Sequence, residues 1–91
     1  MHVTYYDKVE RGYTSATFGI AIPEWHIEIN NLAVVKKKDG KGWFISIPSF
    51  KDKVSDTFKK VITFDQNSQR IFEKATRDAV DKYIKDKGIE V

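Results

Sequence analysis

Apolar and small residues alternate over Thr14–Ile22. Phe18, Ile20 and Ile22 share one parity, and Gly19 and Ala21 take the other. A two-residue period predicts a β-strand with one buried face. The small residues on the second face imply a close neighbour there, either a helix or another subunit. Two more runs, residues 26–35 and 43–47, are rich in β-branched and aromatic residues and flank Asp39-Gly40-Lys41-Gly42. That arrangement predicts an antiparallel hairpin. Pro48 ends its second strand, because proline has no N–H for a sheet ladder. Val3, Tyr5 and Val9 suggest a first strand interrupted at Asp7, and Phe58, Ile62 and Phe64 share a phase that predicts a last strand over residues 58–64.

The middle strand breaks the alternation. Ile27 and Ile29 point one way, whereas residues 32–35 (Leu-Ala-Val-Val) are apolar on both faces. Either a bulge sits near Asn30-Asn31 or the strand is covered on both sides. One helix covers only one face of a small sheet, so the second alternative requires a second subunit and predicts a homodimer. Beyond Ser68 the period becomes helical: Ile71, Phe72, Ala75, Ala79, Val80, Tyr83 and Ile84 form one broad apolar stripe. Asn67 or Ser68 is the expected N-cap, and Gly88 suits the residue past the C-terminus. The expected core includes Trp43 or Phe44, Ile47, Phe72 and Val80.

Together these elements predict an α+β fold: a small antiparallel β-sheet of four to five strands, joined as a meander of hairpins, with one C-terminal α-helix packed on it. With 91 residues, the chain has room for one domain. Hydrophobic residues make up 41% and charged residues 32%, which is too apolar for disorder, and aromatics at 13% supply much of the area a small core can bury. There is no cysteine, so the fold cannot draw on disulfides or thiolate metal sites. No stretch reaches the roughly 20 apolar residues of a membrane span, and the N-terminal residues lack a signal-peptide pattern. The expectation is a cytoplasmic protein with no membrane partner.

Catalytic chemistry is sparse. His2 and His26 are the only histidines, and no cysteine completes a zinc set. Ser46 and Ser49 lack a nucleophile-elbow context, and Asp39-Gly40-Lys41-Gly42 lacks the spacing of a phosphate loop. No enzyme activity, metal or cofactor is expected. Net charge is +3, and its distribution is more informative than its sum. Lys36, Lys37, Lys38 and Lys41 surround the hairpin tip. Lys51 and Lys53 follow Pro48-Ser49, Lys59 and Lys60 come next, and Arg70, Lys74 and Arg77 share one helix flank, diluted by Asp78 and Asp81. Such clusters can follow a phosphate backbone, or they can serve only to keep sheet edges soluble. Exposed aromatics on a sheet can stack on unpaired bases, but of the two tryptophans Trp43 is in phase with Ile45 and Ile47, which favours core packing. Trp25, after a Pro-Glu turn, reads as a partly exposed cap.

Gly42-Trp43-Phe44-Ile45-Ser46-Ile47-Pro48-Ser49 resembles the glycine–aromatic–apolar–Pro-Ser stretch of the SpoVG family (stage V sporulation protein G, or septation protein). The surroundings are similar in order: a strand from Ala16 to Ile20, Ile29-Asn30-Asn31-Leu32-Ala33-Val34, a lysine-bearing loop, and a helix with Asp78-Ala79-Val80 before Tyr83. The likeness runs over residues 14–84. It departs from the pattern at Phe50 and in a shortened segment between Lys51 and Phe58. The resemblance implies a homodimeric regulator that binds DNA or RNA, with a non-enzymatic dimeric protein–protein interaction module as the alternative. Under that reading Lys51, Lys53 and Lys74 contact the nucleic-acid backbone, Arg70 and Arg77 contact bases, and Lys37 and Lys38 at the hairpin tip add to the site.

Overall fold

The computed structural model describes residues 1–60 and 62–89. Four strands, β1 (His2–Arg11), β2 (Thr14–Ile22), β3 (Ile27–Lys36) and β4 (Trp43–Ser46), pair antiparallel in the order β1-β2-β3-β4, and β5 (Ser49–Asp52) and β6 (Thr57–Lys60) form a separate two-stranded ribbon. The helix α1 (Gln66–Lys87) follows. The result is the α+β meander with a C-terminal helix that the residue pattern predicts.

β3 resolves its own mixed phase by a bulge. Phe18 on β2 pairs with Leu32 and Ile20 pairs with Ile29, so two residues of β3 stand opposite Gly19 alone. Asn31 takes the left-handed conformation (φ 63°) that a bulge residue needs and asparagine tolerates. The extra residue brings Leu32 and Val34 to the face that carries Ile29, and both are fully buried beneath the helix. The outward-facing apolar positions are therefore Ala33 and Val35, which are half-buried. A two-sided strand is thus no longer needed to explain residues 32–35, and neither Leu32 nor Val34 is available to a second subunit.

Gly19, on the other face of β2, does have a close neighbour, and it is strand β1. A Cβ built on Gly19 would lie 2.5 Å from Tyr5 Cε1 and 2.7 Å from Thr4 Oγ1. The Tyr5 ring lies over that glycine, and its hydroxyl accepts a hydrogen bond from the Asn31 amide at 2.8 Å. β1 is longer than its sequence suggests. Register shifts between Val3 and Tyr5 and between Lys8 and Arg11 disguise its alternation, and Asp7 sits within the ladder opposite Thr17.

Helix α1 starts earlier than expected. Asp65 is the N-cap; its Oδ1 accepts the Ser68 amide at 2.8 Å, and that bond holds its carboxyl below the usual carboxylate range. Asn67 and Ser68 lie inside the first turn, because Asp65 caps as well as either and stands at the right spacing. Gly88 closes the other end at φ 66°, donating to Ile84 and Lys85 carbonyls. Phe72, Thr76, Val80 and Ile84 form the buried line, whereas Ile71, expected on the stripe, is 71% exposed. The expected strand over residues 58–64 contracts to β6, which pairs with β5. Val61 lies outside the described residues. Ile62 and Phe64 leave the strand to pack on the core, Phe64 stacking on Phe72 with ring centroids 4.8 Å apart. Of the expected core, Ile47, Phe72 and Val80 are buried, Trp43 is half-buried and Phe44 is exposed.

Gly19→Ala is expected to destabilise the protein by about 1–3 kcal/mol, the usual range for overpacking, because the Tyr5 ring must move off the sheet. Adding Tyr5→Ala should remove the part of that penalty due to the ring, leaving the Thr4 Oγ1 contact. Chemical denaturation of the single and double variants measures the coupling, and purely additive effects would contradict the contact.

Candidate nucleic-acid interface

The ends of two hairpins meet at one end of the sheet. Gly12, at φ 59°, turns β1 into β2, and the Tyr13 carbonyl accepts the Lys36 amide at 2.8 Å. The β3–β4 loop closes through Lys37 N–H to Gly42 O and Gly40 N–H to Lys37 O, both at 3.0 Å. Asp39 is occupied internally, its Oδ1 accepting the Lys41 amide at 2.8 Å. The glycines at 40 and 42 have φ of 75° and 105°, which L-residues with a Cβ rarely adopt. Lys36, Lys37 and Lys38 thereby line a concavity of about 280 Å³ together with Tyr13, Val35 and Phe44. Tyr13 is 54% and Phe44 44% exposed.

The helix flank runs beside the free edge of β4. Arg70, Glu73, Lys74 and Arg77 line a second groove of about 340 Å³ with Phe44 and Ile45. Phe44 borders both hollows, so the tip and the flank lie on either side of one exposed ring. Arg77 is bound up in holding the structure together. Its guanidinium lies over the Trp43 ring, 4.4 Å from the centroid, and donates to the Trp43 carbonyl on the free side of β4. That placement suits a clamp between helix and sheet better than a reader of bases. Lys74 pairs with Asp78 at 3.3 Å.

Lys51 and Lys53 lie elsewhere, in the ribbon. Lys51 pairs with Asp56 at 3.1 Å, and Lys59 with Asp52 at 2.6 Å. The Lys59 ammonium and the Val54 amide hold the Asp52 carboxyl low. Lys53 occupies the turn between β5 and β6. Among the described residues, no carboxylate lies within salt-bridge distance of Lys36, Lys37, Lys38, Lys41, Lys53 or Arg70. Of the seven positions expected from the sequence, the structure places Arg70, Lys74 and Arg77 on one hollow and Lys37 and Lys38 on another, with Phe44 between them, and leaves Lys51 and Lys53 in the ribbon.

Sequence reasoning missed Tyr13 and Phe44. The signal for Phe44 was present: it has the opposite parity to Trp43, Ile45 and Ile47, so if those three face the helix, Phe44 faces away.

Of the remaining perturbed groups, Tyr6 is pushed up by burial and by the neighbouring Tyr83, against which it stacks with ring centroids 5.6 Å apart. No group of three or more His, Cys, Asp or Glu among the described residues could hold a metal ion, and no helix among them is long and apolar enough to cross a membrane. Fold and surface together define an α+β sheet-and-helix domain with a basic, aromatic-lined end. Comparison with protein-family models, curated proteins and solved structures returns no match to this chain.

Replacing Arg77 by alanine should lower the melting temperature by a few degrees, because the Trp43 contact is lost. Arg70→Ala should leave it unchanged. Thermal denaturation of both separates the clamp from the free cation, and equal melting temperatures would contradict the distinction.

Proposed function

We propose that this protein is a non-enzymatic nucleic-acid-binding regulator, acting on DNA or RNA as a homodimer in the cytoplasm. The observation that carries the reading is the pair of basic hollows that share Phe44, one lined by Arg70 and Lys74 and the other by Lys36, Lys37 and Lys38. Phosphates attract such a row of cations whatever the sequence, and each contact releases counterions. The order of motifs that resembles the SpoVG family supports the same reading. Lys51 and Lys53 then contribute from the ribbon as auxiliary phosphate contacts, weaker than the tip because Lys51 already has a carboxylate partner.

Support for a dimer comes from the opposite end of the sheet. Met1, Ile22, Trp25, Phe64 and Ile71 surround a groove of about 300 Å³ with no charged side chain among its lining residues, and Trp25 and Ile71 are 66% and 71% exposed. Exposed apolar patches of this kind mark association sites. Two copies joined there keep their basic ends apart, whereas a contact through the tips or the β4 edge would oppose like charges. Light scattering should report a dimer at micromolar concentration that Ile71→Glu converts to a monomer. A wild-type monomer would contradict the assembly.

Binding to mixed DNA and RNA pools should weaken linearly in log salt. Replacing Lys36, Lys37 and Lys38 together by alanine should flatten that slope by about 2–3 units, more than replacing Lys51 and Lys53 does. If no salt-dependent binding occurs to any pool, the chain is instead a protein–protein interaction module and its lysines are a solubilising surface.

A further inference from the structure

Resting on the nucleic-acid reading above, we infer that the tip selects unpaired strands, with bases stacking on Tyr13 and Phe44 while Lys36, Lys37 and Lys38 hold the phosphates. Both rings are about half exposed and line the same concavity of about 280 Å³, from opposite hairpins, with Val35 among its walls. The alternation of β4 forces this placement. Trp43, Ile45 and Ile47 pack on the core beneath the helix, so Phe44 emerges on the other face beside Val35, its partner across the ladder. Tyr13 is held in place from below, because its carbonyl accepts the Lys36 amide.

A planar aromatic beside a cation row has little to gain from a duplex, whose base faces are already stacked. An unpaired strand offers both a π-face and a phosphate at each nucleotide, which is the combination used by sequence-tolerant single-strand binders. Duplex readers place a helix or a two-stranded β-ribbon in the major groove. Here the one helix is held with its basic flank against β4, with Arg77 clamped to Trp43 and Lys74 paired to Asp78. Arg77 is therefore not available to lead the helix into a groove, and in the β5–β6 ribbon Lys51 and Lys59 already pair with Asp56 and Asp52. DNA and RNA single strands share the recognised chemistry, so the ribose 2′-hydroxyl is not part of the claim.

The test compares labelled oligothymidylate, oligouridylate and a mixed-sequence duplex of the same length, by anisotropy at two salt concentrations. Wild-type protein should bind both single strands at least tenfold more tightly than the duplex. Phe44→Ala and Tyr13→Ala should each weaken single-strand binding by about 5- to 100-fold, well beyond any loss of duplex binding, with the salt slope nearly unchanged. Tyr13→Phe should retain affinity, since the ring and not the hydroxyl is used. Both side chains are surface-exposed, and circular dichroism confirms folding of each variant. Ultraviolet cross-linking to oligothymidylate, mapped by mass spectrometry, gives a readout independent of mutation and should mark Tyr13 or Phe44. Equal affinity for duplex and single strand, or cross-links confined to the ribbon, would overturn this inference while leaving nucleic-acid binding in place. Absence of salt-dependent binding to all three probes would overturn the underlying reading instead.

Discussion

The structure depends on one constraint: a single helix can cover only one face of a four-stranded sheet. Every large apolar side chain of the central strands must therefore reach the same side. β3 meets that requirement only because Asn31 adds a residue in a left-handed conformation, which carries Leu32 and Val34 into phase with Ile29. A one-residue slip would turn that whole set to water. The bulge is held from the uncovered face, where Tyr5 crosses Gly19 to accept the Asn31 amide. The glycine, the tyrosine and the asparagine come from three adjacent strands and act together.

That arrangement also sorts the surface. With the core committed to the helix side, the residues of opposite parity on β4 and the ends of the hairpins become the exposed chemistry. Phe44 joins the lysine-rich tip to the helix flank, while Trp25 and Ile71 gather at the far end of the sheet. A basic, aromatic-lined end and an end with an apolar groove thus lie at opposite limits of the strands. Arg77 ties the helix to the edge strand through Trp43, so the basic flank owes part of its position to an interaction that also limits its freedom.

Much of the fold was legible in the residue pattern. Strict alternation marked β2, and the Asp39-Gly40-Lys41-Gly42 turn marked the β3–β4 hairpin. The switch to a helical period marked α1, and the bulge was one of two alternatives that the broken phase of β3 allowed. β1 was obscured because its register shifts interrupt the period on which the reading relies. The segment from Phe58 to Phe64 misled because hydrophobic phase does not reveal pairing. Its first part pairs with β5, and Ile62 and Phe64 continue past the strand to the core. In the candidate site the lysines at 37 and 38 and the helix flank were legible as a charge pattern. What sequence could not show was which cations have partners. The pairing of Lys51 with Asp56 depends on the ribbon turn, and that of Arg77 with Trp43 depends on helix–sheet packing.

The most direct test of the two basic hollows is an amide chemical-shift map of the isotope-labelled protein titrated with oligothymidylate. The account predicts that the largest changes cluster at Tyr13, Lys36 to Lys38, Phe44 and Arg70, with smaller ones at Lys51 and Lys53 and little movement at Trp25 or Ile71. Changes centred on the β5–β6 ribbon or on the apolar groove, with the hairpin tip unmoved, would contradict it.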